Sequence, residues 1–534
     1  MKLSMSLREK IGQTGIAGPA YVRDAVARCG SYEKYFEEHP FGGIHAAILK
    51  RPSGEPFDSP EEQAQLLKKL SEQAKVPYFV TCDFEFGAKD MFSNLHSIPT
   101  NMSLAASGSE ELAYKRGYYY AKELKQGGIN WVFGPVFDRQ NNFLNPSGVR
   151  CLSDNAQTII KYIPSMVKGV QDGGIAATAK HFPGAGNGYR DAHFCSLSGS
   201  EGNFEEWMSQ EGKIWKKAAE SGVKTFMIGH EPFTQVDPSC ARGRIPRPAT
   251  ASKKVIEFLR NEIGFDGLVV TDAVGMRSLA SAFDHDDTYI ECFNAGCDVI
   301  LFVHDDYIDV MEKAVLDGRV SEKRLDEAVE RILKLKEELG LFEGVTLEAP
   351  LTPEENEDFE KVNYEIAKKA LTTVANVGDI LPFDREKIKK AAIITLAPYE
   401  PFMENLKTMV ARFEEKGIQV TVFRRVETKR QMEEIANEYD LIVYACYLAQ
   451  GRPQGMSFYS AHNDIISLLH VFCYGAEKSV GVSFGAPSIF YNYFENVDAF
   501  INAYSCDDAT MKAVVDGILG EFEFTGKSPV ALRP

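Results

Sequence analysis

Gly174-Ile175-Ala176-Ala177-Thr178-Ala179-Lys180-His181-Phe182-Pro183-Gly184-Ala185-Gly186-Asn187-Gly188-Tyr189-Arg190-Asp191-Ala192-His193 begins as an apolar run and ends as a polar loop. The run Gly174 to Ala179 predicts a buried strand. Glycines and a proline then hold the chain irregular where a helix would otherwise start. Two cations, a carboxylate and two histidines crowd this loop, an expensive collection unless chemistry uses it. Asp191 and His193 are two residues apart, so in extended backbone their side chains point to one side and pair. A carboxylate-oriented imidazole at a pocket mouth is a general acid/base arrangement.

Outward from this strand, apolar runs alternate with amphipathic stretches over about residues 40 to 340. The runs are Gly43 to Leu49, Val76 to Cys82, Asn130 to Val136, Gly174 to Lys180, Val223 to Ile228, Gly267 to Thr271 and Asp298 to Val303. Helical patterns fill Pro60 to Ala74, Ser109 to Gln126, Asp154 to Gln171, Phe204 to Ser221, Ser252 to Ile263, Thr288 to Ala295 and Ser321 to Leu341. The alternation predicts an α/β chain opening with a (β/α)8-type TIM barrel, whose eighth strand is inferred from closure. A Pro/Glu-rich stretch follows. A second alternation then places strands at Ala391 to Leu396, Gln419 to Phe423, Leu441 to Tyr447, Ser479 to Phe484 and Ala499 to Ala503, with helices between them, one at His462 to Tyr474. That predicts a smaller three-layer α/β sandwich with a mostly parallel sheet. The expected division is a barrel over 1–343, a linker over 344–380 and the sandwich over 381–534. Gln450 to Gly455 is a candidate ligand-facing loop.

A barrel demands that functional side chains gather at the C-terminal ends of its strands. Asp83, Asp138, Lys180, His181, His230 and Asp272 all follow apolar runs in this way. Asp272 ends Leu268-Val269-Val270-Thr271, where an unpaired buried carboxylate would be costly. At the barrel mouth it stays ionised, which makes it the candidate nucleophile or charge stabiliser. His193 is the candidate proton donor and Asp191 its orienting carboxylate.

The net charge of −17 argues against nucleic acid and anionic membrane surfaces as partners. No secretory h-region and no membrane-length apolar run is present. Ten cysteines without a CxxC pair suit free thiols in a reducing, cytoplasmic setting. Gly184, Gly186 and Gly188 do not make a dinucleotide loop, because Tyr189 stands where the third glycine belongs and no helix is expected to follow. His181, His193, His230 and Asp191 lack the spacing of a metal motif, so no metal and no other cofactor is expected.

The motifs together resemble glycoside hydrolase family 3, most closely its β-N-acetylglucosaminidase branch. They include Ser6-Leu7-Arg8-Glu9-Lys10-Ile11-Gly12-Gln13, Phe133-Gly134-Pro135-Val136-Phe137-Asp138 and Lys180-His181-Phe182-Pro183-Gly184 with Asp191-Ala192-His193. Pro248-Ala249-Thr250-Ala251-Ser252, Gly267-Leu268-Val269-Val270-Thr271-Asp272 and Ile501-Asn502-Ala503-Tyr504-Ser505 extend the likeness over nearly the whole length. The resemblance implies a retaining exo-β-N-acetylglucosaminidase acting on chitin-type or cell-wall-derived saccharides. Asp272 would be its nucleophile and His193–Asp191 its acid/base dyad. By the same resemblance, Asp83, Arg150, Lys180, His181 and His230 line the sugar site. Phosphorolysis at the same site and sugar binding without turnover stand as alternatives. The chain departs from the branch at Glu85-Phe86-Gly87-Ala88, where Glu-Gly-Gly-Arg is usual, so an arginine expected in the sugar pocket is missing. It departs again at Gly184-Ala185-Gly186-Asn187, where Gly-His-Gly-Asp is usual. Oligomeric state is not legible.

Overall fold

The computed structural model describes residues 4–533 except 19–21, 23, 47–48, 50–54, 56, 143–144, 187, 189, 196–201, 242–244, 345–347, 397–399, 425, 427, 449–474 and 496. The loop Gln450 to Gly455 and the helix expected at His462 to Tyr474 lie outside the described residues. The chain divides into two compact units.

The first unit carries eight short strands: β1 (Gly15–Ala17), β2 (Gly43–His45), β3 (Phe79–Cys82), β4 (Trp131–Val132), β5 (Thr178–Phe182), β6 (Thr225–Ile228), β7 (Leu268–Thr271) and β8 (Ile300–Val303). They pair in parallel as β4-β3-β2-β1-β8 and as β5-β6-β7. Parallel bridges Trp131–Ala176 and Val136–Lys180 join β4 to β5, and Val270–Val299 joins β7 to β8. The ring is therefore closed. The strand that the apolar runs do not reveal is β1, whose three residues are too few to show a period. With β1 counted, Asp272 follows the seventh strand and the His193 loop follows the fifth.

The barrel interior is packed with side chains. Ile16, Phe79, Trp131, Phe133, Ala176, Met227, Leu268, Val270, Val299 and Leu301 form one buried cluster. Ile332 and Leu335, from the helix Glu322–Glu338, join it. The Trp131 indole N–H is shared between the hydroxyls of Thr178 (2.8 Å) and Thr225 (3.0 Å), so the one polar atom of this large ring is satisfied. Helix starts follow local chemistry. Pro60–Gln73 has Ser59 as N-cap, proline in its first turn and Glu61 and Glu62 beside it. The expected helix Phe204 to Ser221 is two helices, Phe204–Ser209 and Glu211–Glu220, because Gln210 leaves helical backbone angles.

Asp298, wholly buried just before β8, is the charged hub of this unit. One carboxylate oxygen accepts from Arg260 (2.9 Å) and the Val269 N–H (3.1 Å), the other from Arg324 and Arg331 (both 3.1 Å). Removing one partner of a buried ion network costs more than the network contributes net, because the remaining charges stay desolvated. Asp298→Ala is expected to lower unfolding free energy by about 3–5 kcal/mol, read from denaturant midpoints. A shift below about 1 kcal/mol, the range of exposed ion pairs, would contradict this.

The second unit holds a six-stranded sheet. Its strands are β9 (Thr372–Asn376), β10 (Lys390–Leu396), β11 (Gln419–Phe423), β12 (Leu441–Cys446), β13 (Ser479–Ser483) and β14 (Ala499–Asn502), in the order β11-β10-β12-β13-β14-β9. All pairs are parallel except β14–β9. Both faces are covered, as parallel sheets require. Ala391, Ile393, Leu441, Val443 and Ala445 face one apolar cluster, while Ala392, Ile394, Ile442, Tyr444 and Cys446 face the other. The stretch 344–380, expected as a linker, contains the helix Pro353–Ala370 and β9. Chain segments Ser97–Arg116 and Arg139–Tyr162 also belong to this unit. Thr100 donates its hydroxyl to the Tyr504 carbonyl (2.9 Å), and the Ala531 N–H donates to Asp154 (2.6 Å). Among the described residues no helix is long and apolar enough to cross a membrane, and the described cysteines are free thiols.

Candidate active site

β5 ends in Lys180-His181-Phe182, and its polar side chains find carboxylates on neighbouring connections. Lys180, buried, places its ammonium 3.0 Å from Asp83 and 2.7 Å from Glu85, both on the connection after β3. His45 Nε2 lies 3.9 Å from the other Asp83 oxygen. Burial works to raise the Asp83 pKa, but the charges of Lys180 and His45 prevail and hold it below its ordinary value. His181 Nδ1 pairs with Asp138 at 2.6 Å, and the same carboxylate accepts the Ala185 N–H at 2.8 Å. Burial alone would lower the His181 pKa; Asp138, and behind it Asp272, raise it above the ordinary imidazole value. The Lys180–His181 and Phe182–Pro183 peptides are cis.

The loop that leaves β5 is anchored before it becomes polar. Two indole N–H groups, of Trp207 (3.2 Å) and Trp215 (2.9 Å), donate to the Pro183 carbonyl. Gly184 then takes a φ of 126°, open to glycine and strained for other residues. Further on, the chain makes a turn at Asp191 to Cys195. There the Asp191 carboxylate accepts both the His193 N–H (2.9 Å) and His193 Nδ1 (2.7 Å). The imidazole side chain is 41% exposed. Among the described residues none bonds its Nε2. Phe194, exposed, adds an apolar ring beside it.

Asp272 stands at the end of β7, part-exposed, with its N–H bonded to the Ile228 carbonyl (3.0 Å). One carboxylate oxygen accepts the Ala273 N–H at 2.7 Å, which leaves the other oxygen directed elsewhere. Burial opposes ionisation, but His181, His230, the Ala273 N–H and Lys180 together hold the Asp272 pKa below its ordinary value. The His193 turn is fastened to this connection. The Arg277 N–H donates to the His193 carbonyl (3.3 Å) and the Ser278 N–H to the Ala192 carbonyl (3.1 Å).

His230 is oriented by the protein on both sides. Nδ1 meets the Thr250 hydroxyl at 2.6 Å and Nε2 meets the Ala273 carbonyl at 3.1 Å. Burial lowers its pKa, Nε2–H donates to the Ala273 carbonyl, and the Thr250 hydroxyl beside Nδ1 donates its own proton to the Gly229 carbonyl (2.7 Å). His230 therefore braces the Ala273–Val274 peptide, one residue beyond Asp272. Arg150 lies on the turn Gly148–Arg150 in the second compact unit, where its carbonyl accepts from Asn101 (2.8 Å).

Three groups were not singled out from sequence: His45, Glu85 and Glu231. Burial pushes Glu231 up to about 7, and among the described residues its buried Oε2 has no hydrogen-bond partner. A Cβ at Gly229 would come within 2.3 Å of that oxygen, so a side chain there would displace the Glu231 carboxylate. A carboxylate next to His230 at the end of an apolar run was the available signal.

Residues 7–335 match the model of the glycosyl hydrolase family 3 N terminal domain. The chain belongs to glycosyl hydrolase family 3. Within that family it is 29% identical over 496 residues to a β-N-acetylglucosaminidase/β-glucosidase of Cellulomonas fimi, covering 88% of this chain and 86% of that one. It is 28% identical over 341 residues to β-hexosaminidase A of Pseudoalteromonas piscicida, covering 59% of this chain and 56% of that one. A solved family 3 β-N-acetylglucosaminidase from Paenibacillus sp. str. FPU-7 superposes with a TM-score of 0.83 at 26% identity, over 99% of both chains. A β-glucoside phosphorylase, BglX, shares the fold with a TM-score of 0.84 at 24% identity, over 99% of this chain and 94% of that one. The family assignment makes this chain a glycoside hydrolase whose two-unit α/β architecture is that of its family 3 neighbours.

Proposed function

We propose that this family 3 member is a retaining exo-β-N-acetylglucosaminidase with Asp272 as nucleophile and His193 as acid/base. The observation that carries the reading is the fastening of the His193 turn, by two backbone hydrogen bonds, to the connection that Asp272 opens. The names of the Cellulomonas and Paenibacillus relatives support the sugar. The reaction would take place at the barrel end that carries Asp272 and its cations, and would recycle cell-wall or chitin-type fragments in the cytoplasm.

In the first step the Asp272 oxygen not bonded to Ala273 attacks the anomeric carbon. The bond to the aglycone breaks as Nε2–H of His193 protonates the leaving oxygen. A glycosyl ester on Asp272 remains. In the second step neutral His193 takes a proton from water, whose oxygen attacks the same carbon and frees Asp272. Two inversions give net retention. Asp191 keeps Nδ1 protonated, so Nε2 alternates between donor and acceptor. Asp83, Lys180 and His181 hold sugar hydroxyls, and His230 acts through Asp272 by positioning.

A screen of aryl glycosides tests the substrate. The N-acetylglucosaminide is expected to exceed the glucoside and the N-acetylgalactosaminide in kcat/KM by at least about tenfold, roughly 1.4 kcal/mol of differential transition-state binding, with the β-anomer as first product. A glucoside preference would remove the N-acetylhexosamine assignment.

One observation favours a second reading, phosphorolysis. An imidazole acid/base does not repel an incoming phosphate as a carboxylate would. Hydrolysis predicts an unchanged initial rate in the presence of phosphate and no sugar 1-phosphate; a rate gain with sugar 1-phosphate as product would install the second reading.

A further inference from the structure

We propose that His285, His304 and Asp306 form a binding site for one divalent transition-metal ion of the zinc type beside β7 and β8. His285 is the first residue of the helix His285–Ala295, and His304 and Asp306 lie between β8 and the helix Tyr307–Leu316. One ligand atom from each lies within 4.8 Å of the others. His285 Nε2 is 2.9 Å from Asp306 Oδ2, and the two imidazole centroids are 4.8 Å apart at 40°. Bond lengths of about 2.0–2.2 Å in a tetrahedral site put ligand atoms roughly 3.4 Å apart. The widest separation must close by up to about 1.4 Å and the 2.9 Å pair must open by about 0.5 Å to reach that spacing, and the His285 and Asp306 side chains, 43% and 51% exposed, have room to move.

The surroundings are arranged as a support. Buried Tyr289 sits edge-on to His285 (5.2 Å), accepts the His304 N–H on its hydroxyl oxygen (3.2 Å), and rests on Tyr307 (5.1 Å). The His304 N–H is the backbone amide, so Tyr289 places that residue in the chain, while its ring edge holds the His285 imidazole. Asp306 is an N-cap whose carboxylate does not cap its helix; among the described residues its hydrogen bond goes to His285. Asp305 next to it is engaged with Arg28 and with the Tyr35 hydroxyl (2.7 Å), which leaves Asp306 as the carboxylate ligand. Two imidazoles and one carboxylate suit zinc, cobalt or nickel, whereas calcium and magnesium demand oxygen donors. A bound ion would tie the β7 connection, which opens with Asp272, to the β8 connection.

The test uses untagged, chelator-treated full-length chain titrated with Co2+, followed by visible absorption and calorimetry. The expected result is one equivalent bound, with ligand-field bands and no thiolate charge-transfer band, and a melting temperature raised by Zn2+ but not by Mg2+. His304→Ala and the near-isosteric Asp306→Asn are each expected to weaken Co2+ binding by roughly 100-fold, while their metal-free melting temperature and aryl-glycoside turnover match the native chain. Absence of stoichiometric Co2+ binding to the native chain, a thiolate signature, or undiminished affinity in both variants would overturn the site.

Discussion

Replacing Asp272 by alanine is expected to lower kcat/KM on an aryl N-acetylglucosaminide by at least about 10⁴-fold, roughly 5.5 kcal/mol of lost transition-state stabilisation. The size follows from two roles lost together: the covalent partner of the anomeric carbon and the anion facing the developing positive charge. The loss should fall on kcat, because the attack is made only in the transition state, and KM should move little. The site also sets the pH limb. Asp272 is held below its ordinary value by His181, His230, the Ala273 N–H and Lys180 against the effect of burial. Activity requires the carboxylate, so it is present above that depressed pKa and lost as pH falls through it. The acid limb assigned to Asp272 therefore lies below the ordinary aspartate value of about 3.9. His181 runs the other way. Its pKa is raised, mainly by Asp138 against burial, so its charge is present at low pH and lost as pH rises through the raised value. Asp138→Asn should remove that support and move the Asp272 limb upward. An alanine variant at 272 with native turnover would end the nucleophile assignment, whatever the fold.

What was legible in the sequence was local. Asp272, Lys180 and His181 were found because a charge directly after Val269-Val270-Thr271 or Ala177-Thr178-Ala179 is costly wherever it is not used. Five of the six sandwich strands were legible because each is a run of four to seven mostly apolar residues bounded by turns, while β9 was not, lying in the stretch expected as a linker. β1 was not, since Gly15-Ile16-Ala17 has no period to read, and only its pairing with β8 and β2 makes it a strand. Nor was the membership of 97–116 and 139–162 in the second unit, because their partners are remote: Thr100 bonds Tyr504, 404 residues on. The same distance problem hid Glu85, which meets Lys180 only once the barrel closes. His230 was legible as a rim residue but not as a brace, a role decided by Thr250 and the Ala273 carbonyl. The His285, His304 and Asp306 cluster was invisible for a related reason, since its ligands come from two separate connections.

Replacing His193 by alanine is the second large effect, and its size should depend on the leaving group. General acid catalysis is worth about 10²–10⁴-fold where the departing oxygen is basic. An alkyl or sugar aglycone should therefore lose that much in kcat/KM. A dinitrophenyl aglycone leaves without protonation and should lose little in the first step. The second step still needs a base to activate water, so the glycosyl ester should accumulate and appear as a burst followed by a low steady state. Azide, a nucleophile that needs no deprotonation, should restore turnover and yield the β-glycosyl azide. Asp191→Asn separates orientation from proton transfer. The carboxylate accepts from both the His193 N–H and Nδ1. An amide that turns its Nδ2 hydrogens toward the ring lets Nδ1 become the acceptor and leaves the wrong nitrogen protonated. Its loss on a sugar aglycone should approach that of His193→Ala, with no azide rescue beyond what the alanine variant shows. Equal losses on good and poor leaving groups, with no burst and no azide effect, would remove His193 from the reaction and leave Asp272 in need of another proton donor, with Glu231, pushed up to about 7, the first group to examine.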